Sequence, residues 1–264
     1  MSRPVIALLT DFGTRDHYVG TMKGVALAIC PEATLVDVTH DVPPHDVLVG
    51  ALELAASYRY FPAGAVFLVV VDPGVGSARR AIAVEAGGYR FVAPDNGVLT
   101  GVIEDHAPDA AVELTERRYA RPTISRTFEG RDRFAPAAAW LATGVALTAL
   151  GRPAGPLHRL DIPRPQVTGD QIRGEVLRVD RFGNLITNID RRLFDRVVAS
   201  GTVDVSIGPH TIARFVSAYA EVAPGDVCAL FGSSDHVEIA ASGANAAAAL
   251  RANRGAPVTI ARRA

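Results

Sequence analysis

Two short apolar runs, Val5 to Leu9 and Ala65 to Val71, with a second strand pattern from Leu35 to Val38, alternate with helical patterns over the first half of the chain. This alternation constrains the fold more than any other feature. The two apolar runs carry no polar break, which suits strands covered on both faces. Helical stretches from about His17 to Ile29 and from Asp46 to about Tyr58 lie between them. Pro31 closes the first of these, and the Asp46 side chain is placed to cap the second. Strand, helix, strand, helix, strand implies a mainly parallel sheet with helices on both faces. Ala81 to Glu85 and Arg90 to Ala93 flank Gly87-Gly88, which predicts a hairpin at one edge. A further helix is expected from Phe134 to Leu150, with Pro136 in its first turn.

The pattern changes after Gly151. The segment from Arg152 to Pro165 carries Pro153, Pro156, Pro163 and Pro165, a linker composition. Short alternating strands follow, at Val176 to Val179, Ile186 to Ile189, Val203 to Ile207, Thr211 to Val216, Val227 to Phe231, Val237 to Ala240 and Val258 to Ala261. Strands at this spacing predict a small antiparallel β-barrel. The expected class is therefore α/β, with an N-terminal α/β domain over 1–160 and a C-terminal β-barrel domain over 161–264. The alanine-rich stretch from Ala244 to Ala249 reads as a surface helix, and no internal repeat is evident.

Composition removes several function classes. The formal net charge is −1, from 27 basic and 28 acidic residues, so no global field favours nucleic acid or an anionic membrane. Lys23 is the single lysine. Cys30 and Cys228 lie in apolar contexts without a CxxC pair, which suits buried free thiols and disfavours thiolate zinc sites. The apolar run after Met-Ser-Arg-Pro is too short for a signal peptide. The longest apolar stretch, Ala137 to Leu150, falls short of the roughly 18 residues of a membrane span. A soluble cytoplasmic protein is expected.

Ligands of an open parallel sheet bind outside the carboxyl ends of its strands. Asp11 follows the first strand, Asp72 follows the third, and Asp16 stands before the first helix. Carboxylates there can cap turns, hold a metal, bind ribose hydroxyls or orient water. Asp72-Pro-Gly-Val-Gly-Ser-Ala-Arg79 is glycine-rich but lacks the Lys-Ser/Thr ending of a P-loop. It can fold back so that Arg79 meets Asp72 and keeps it ionised. Thr127-Phe128-Glu129-Gly130-Arg131-Asp132 places a ring and a carboxylate before a helix, with Asp132 near its N-cap. In the C-terminal part, Asp180-Arg-Phe-Gly-Asn184 and Gly-Ser233-Ser-Asp join strands. Each can be a plain polar turn, or Asn184 can present its amide to a purine edge.

Taken together, these segments resemble the S-adenosyl-L-methionine (SAM) hydroxide adenosyltransferases, the adenosyl-forming SAM hydrolases related to fluorinases and chlorinases. The matching stretches are Leu-Leu-Thr-Asp11-Phe-Gly-Thr-Arg-Asp16, Val-Asp72-Pro-Gly-Val-Gly with Arg79, Ala-Pro-Asp95-Asn96-Gly and Thr127-Phe-Glu-Gly-Arg-Asp. They continue as Asp180-Arg-Phe-Gly-Asn184-Leu-Ile-Thr-Asn188-Ile and Gly-Ser-Ser-Asp-His-Val-Glu238-Ile-Ala, so both halves of the chain take part.

The resemblance implies hydrolysis of SAM to adenosine and L-methionine, with no cofactor and no metal. It also implies a homotrimer whose substrate lies between the N-terminal domain of one subunit and the C-terminal domain of the next. By motif, Asp11 and Asp16 would line the ribose end, and Phe128 and Tyr219 would pack on the nucleoside. Asn184 and the backbone near Ala241 would meet adenine. Asp180 would take the methionine ammonium, with Ser233 and Glu238 at the same end. Asp72 and Arg79 match two of the three residues associated with hydrolysis. The third, a histidine in the family pattern, is Glu129 here. The halogenating relatives lack the Asp72-type residue, so its presence implies water as the nucleophile. Two other readings compete: a metal-dependent phosphohydrolase using Asp11, Asp16 and Asp72, and a nucleoside-binding trimer with little turnover.

Overall fold

A computed structural model of the chain describes residues 3–198 and 202–263. Met1 and Ser2, which precede the first expected strand, lie outside the described residues. The chain forms two compact units that meet between Asp161 and Ile162.

The first unit is built on a seven-stranded sheet. Its elements are β1 (Val5–Thr10), α1 (Tyr18–Ile29), β2 (Thr34–Thr39), α2 (Val47–Ser57), β3 (Val66–Val70), β4 (Ala81–Ala86), β5 (Tyr89–Pro94), α3 (Thr100–Asp105), β6 (Ala110–Leu114), α4 (Ala135–Ala142) and β7 (Gly151–Pro153). The order across the sheet is β2-β1-β3-β5-β4-β6-β7. The first four strands run parallel, as expected, and the last three join antiparallel.

Both faces of this sheet are covered. Along β1, Ile6 and Leu8 pack with Met22 of α1 and Phe134, while Ala7 and Leu9 pack with Leu54 of α2 and Ile103 of α3. All four are fully buried, which is why the run carries no polar break. Asp46 caps α2 by accepting the Val49 N–H at 3.1 Å.

Four expectations need correction. The hairpin around Gly87-Gly88 forms, but β4 and β5 are internal strands, because β6 and β7 extend the sheet beyond them. The helix expected to Leu150 stops at Ala142, since the chain turns at Gly144 in the left-handed region (φ +95°) and then forms a 3-10 turn, Leu147–Leu150. Asp132 does not stand near the N-cap of a plain helix start; it sits fully buried within a π-helical turn, Gly130–Phe134. The proline-rich segment is not a loose linker. Its start is strand β7, and the carbonyls of Ala154 and Pro156 accept from Arg80, the His158 N–H donates to Asp95, and the Leu160 N–H donates to Thr100.

Gly151 shows how tightly β7 is seated. A Cβ there would lie 1.8 Å from the Glu113 carbonyl oxygen, a backbone atom that cannot yield. Gly151→Ala should therefore lower the stability of this unit by about 3 kcal/mol, read as the urea midpoint of unfolding. An unchanged midpoint would mean that β7 is dispensable.

The second unit contains β8 (Gln166–Thr168), β9 (Gln171–Val179), β10 (Leu185–Asp190), α5 (Arg191–Val198), β11 (Val203–Ile207), β12 (His210–Ile212), β13 (Val227–Phe231), β14 (His236–Ala241), α6 (Ala246–Leu250) and β15 (Pro257–Arg262). The strands form one antiparallel sheet in the order β12-β11-β15-β9-β10-β14-β13, with β8 against β9. Phe215, just after β12, bridges Ala229 of β13, so the sheet comes close to closing as a barrel. Its interior holds Ile172, Val176, Leu185, Ile189, Val205, Ile239, Val258 and Ile260. α6 is capped by Asn245, and it buries Ala246 and Leu250, so it is only partly a surface helix.

Candidate active site

In the first unit the site residues gather where the parallel strands end. Thr10 of β1 pairs with Val70 of β3, so Asp11 and Asp72 leave neighbouring strand ends on the same edge. From there the chain folds back through Gly74 and Gly76. Gly76 has φ +76°, and a Cβ would lie 2.4 Å from the Arg126 carbonyl oxygen, so this turn requires glycine. The turn returns Arg79 to Asp72. Arg79 Nε donates to Asp72 Oδ1 at 2.9 Å and Oδ2 at 3.1 Å, and Nη2 donates to Oδ2 at 2.5 Å. The same Nη2 donates to Glu129 Oε2 at 2.8 Å. One guanidinium thus bridges two carboxylates, with side-chain exposures of 5% for Asp72, 10% for Arg79 and 11% for Glu129.

Burial acts to lower the Arg79 pKa, but its bonds to Asp72 and Glu129 outweigh burial and raise it, so the cation is held firmly. The guanidinium also lies 5.1 Å from the centre of the Phe134 ring. Arg133 Nε is 3.7 Å from Glu129 Oε2.

Asn96 donates through Nδ2 to the Val71 carbonyl at 2.8 Å, bracing the residue before Asp72. Asp95 receives Arg80, the neighbour of Arg79. These contacts explain the Asp95-Asn96-Gly motif as support for the site. Asp132 does comparable work, accepting bonds from Arg131 at 2.7 Å and from the Ser125 N–H at 2.9 Å. Burial acts to raise its carboxyl, and these bonds hold it below its ordinary range.

Asp11 Oδ2 accepts the His45 N–H at 2.8 Å, which ties the end of β1 to the loop before α2. Phe128 lies under an aromatic group made by Phe12, His17 and Tyr18, with Tyr18 edge-on at 5.1 Å. Sequence reasoning picked out Phe128 and missed its three neighbours. A ring at each of three positions around Asp16 was the available signal. It also missed the chain Lys23–Asp37–His40–Thr10. The only lysine reaches Asp37 at 2.6 Å, Asp37 lies 3.0 Å from His40 Nε2, and His40 Nδ1 lies 2.8 Å from Thr10 Oγ1. Burial acts to raise the Asp37 carboxyl, but Lys23 and His40 hold it low. This network anchors the strand end that carries Asp11.

In the second unit, the Asp180 turn is a closed arrangement. Asp180 Oδ1 accepts the N–H groups of Phe182 at 2.9 Å and Asn184 at 2.8 Å, and Oδ2 accepts Asn184 Nδ2–H at 3.0 Å. Gly183 has φ +85°, and a Cβ there would meet the Asn245 amide at 2.2 Å. Nearby, Tyr219 donates to Glu238 Oε1 at 2.6 Å, and Glu238 is only 6% exposed. Glu238 Oε2 fills the space over Gly232, where a Cβ would approach it to 2.3 Å. Burial pushes the Glu238 pKa up, aided by Asp180 and opposed by Tyr219 and Arg178.

The structure therefore brings together Asp72, Arg79 and Glu129, and separately Asp180 with Asn184 and Tyr219 with Glu238. Ala241 ends β14, where its carbonyl accepts the Ala244 N–H at 3.1 Å. Asp16 and Ser233 are exposed, and among the described residues no hydrogen bond or ion pair holds either. Nor do the described residues contain a group of three or more His, Cys, Asp and Glu arranged to hold a metal ion, so Asp11, Asp16 and Asp72 do not form one. Cys30 and Cys228 are both buried, and burial raises both thiols. No helix among the described residues is long and apolar enough to cross a membrane.

Glu238 supplies a pH prediction. Its folded-state pKa lies above the unfolded value, so the folded state holds its proton more strongly. The stabilisation is complete below the ordinary glutamate range and is lost as pH rises through the raised value. Glu238→Gln should then raise the thermal midpoint of the ligand-free protein at neutral pH. That gain should shrink as pH falls toward the ordinary glutamate range. A lower midpoint at neutral pH would show that the charge is stabilising in place.

An α/β unit with a bridged carboxylate–guanidinium cluster at its strand ends, followed by a near-closed antiparallel barrel, defines a two-part enzyme-like architecture. Residues 6–151 match the SAM hydroxide adenosyltransferase N-terminal domain, and residues 174–259 match the C-terminal domain. The chain belongs to that family. It is 41% identical to a curated (R)-S-adenosyl-L-methionine hydrolase of Salinispora tropica, with 92% of each chain covered. The corresponding protein of Thermus thermophilus is 39% identical, covering 98% of this chain and 99% of that one. A fluorinase of an Actinoplanes species is 35% identical over 71% of this chain and 72% of its own. A solved structure of an uncharacterized conserved protein from Thermotoga maritima superposes with a TM-score of 0.93 at 37% identity, covering 97% of this chain and 100% of that one.

Proposed function

We propose that this protein is an enzyme that hydrolyses SAM to adenosine and L-methionine. The observation that carries the reading is the buried Asp72–Arg79–Glu129 cluster at the strand ends. The family membership and the names of the hydrolase relatives support it.

The chemistry suits such a site. The sulfonium of SAM is already a leaving group, so expulsion of neutral methionine needs no acid. What the reaction needs is an oxygen nucleophile held in line behind C5′ of the ribose. A water polarised by Arg79, which Asp72 holds in place, meets that need. The sulfonium charge falls in the transition state, so the site gains rate by not over-stabilising the bound cation. Asp11 and Asp16 serve the ribose end, and Phe128 with its aromatic neighbours packs on the nucleoside. In the barrel unit, Asn184 and the Ala241 backbone serve adenine, Tyr219 packs on the nucleoside, and Asp180, Ser233 and Glu238 serve the methionine end. We place these two sets on neighbouring subunits of a homotrimer in the cytoplasm. Sedimentation of the purified protein tests the oligomer.

Incubation with SAM in oxygen-18 water should yield equimolar adenosine and L-methionine, with label in the adenosine 5′-hydroxyl. Intact SAM after prolonged incubation, with adenosine bound but never formed, would instead mark a nucleoside-binding protein.

A further inference from the structure

The two carboxylates of the cluster are not equivalent. Both oxygens of Asp72 are taken by Arg79, in a two-point clamp from Nε and Nη2. Glu129 accepts its one side-chain hydrogen bond through Oε2. Arg79 Nη2 donates to it at 2.8 Å, and Arg133 Nε stands at 3.7 Å. Among the described residues, Oε1 of Glu129 accepts no hydrogen bond. A carboxylate clamped at both oxygens is a poor proton acceptor, because accepting a proton breaks up its pairing. One held through a single oxygen keeps a lone pair for the reaction while its direction stays set.

From this asymmetry we infer that Glu129 Oε1 is the general base of the reaction and that the attacking species is neutral water. Asp72 is a positioning residue that holds Arg79. This deepens the hydrolase reading and rests on it. The water oxygen forms a bond to C5′ as the C5′–S bond breaks, and that electron pair passes to sulfur, giving neutral methionine. The proton released from water goes to Glu129 Oε1 and then to solvent.

The charges around Glu129 fit this role. The loop after β3 supplies Arg79, with Asp72 behind it, and the next helical turn supplies Arg133. α1 meets this turn with the Met22 thioether. The His17 and Tyr18 rings beside it face Phe128 instead. Arg131 is engaged with Asp132 and stacks on Phe128. β3 is wholly apolar. A hydroxide ion would have to approach two carboxylates whose cation is already shared between them, whereas water meets no such repulsion.

The test is the pH profile of kcat/KM for wild type, Glu129→Gln and Glu129→His. Wild type should keep its rate below pH about 6, where an imidazole base would be protonated, and should not rise in proportion to hydroxide above neutrality. E129H should stay active but lose rate as pH falls through the imidazole range, about 6.5. E129Q is close in size and should lose about 10²–10⁴-fold in kcat with KM nearly unchanged. The unchanged KM separates loss of the base from loss of the fold. Full activity in E129Q, or a rate proportional to hydroxide in wild type, would overturn the inference while leaving the hydrolase reading intact. Absence of cleavage by wild type would overturn both.

Discussion

Asp72→Ala should abolish turnover of SAM, by about 10³-fold or more, while adenosine still binds with nearly wild-type affinity. The loss follows from what Asp72 holds. Its carboxylate fixes both Nε and Nη2 of Arg79. Without it the guanidinium turns fully onto Glu129, its remaining partner at 2.8 Å. That movement engages the second oxygen of Glu129 and removes Arg79 from the water. Binding survives because Asp11 is held by the His45 backbone and Phe128 by its aromatic neighbours, neither of which touches Asp72. Single-turnover assays and adenosine titration by calorimetry separate the two effects. A variant that retains a tenth of the rate would show that Arg79 is positioned by something else.

Arg79→Met should produce the largest loss of stability. The substitution keeps the length of the side chain beside Phe134 but leaves two buried carboxylates without their shared cation. Breaking one partner from a buried pair costs about 3–5 kcal/mol. For a unit of this size that corresponds to a fall of about 10 °C in the thermal midpoint. A midpoint within about 2 °C of wild type at neutral pH would mean that solvent screens the two carboxylates.

These two substitutions sit at residues that sequence reasoning could name only in part. The loop from Asp72 to Arg79 shows its chemistry in the chain: an acid, glycines, then an arginine seven residues on. The turn that joins them is local, so spacing alone predicts the pairing. Glu129 lies fifty residues further along, and nothing in its neighbours states which of its oxygens carries the cation. Asp132 shows the opposite failure. As sequence it reads as a residue near a helix N-cap, yet a π-helical turn buries it against two arginines. A five-residue repeat of hydrogen bonds leaves no distinct period in side-chain types.

The same division runs through the fold. Continuous apolar runs marked β1 and β3 because a strand covered on both faces has no polar side to display. Alternation marked β11 and β15 because each has one wetter face, whereas β10, β13 and β14 are buried on both. β6, β7, α3 and α5 were not legible, being short and dependent on neighbours for burial. The early stop of α4 at Ala142 was overlooked rather than hidden: Gly144, in the left-handed region, ends the helix inside an apolar pattern that runs on to Leu150.

What the amino-acid order determined by itself was therefore local: strand and helix types, the Asp46 cap, the Asp72–Arg79 turn and the family to which its motifs point. What only the tertiary structure decided was the sharing of one guanidinium between two distant carboxylates, the chain from Lys23 to Thr10, and the burial of Glu238 under Tyr219. Those depend on burial and on contacts between remote segments, and the energy of a charge is set by its surroundings rather than by its place in the chain.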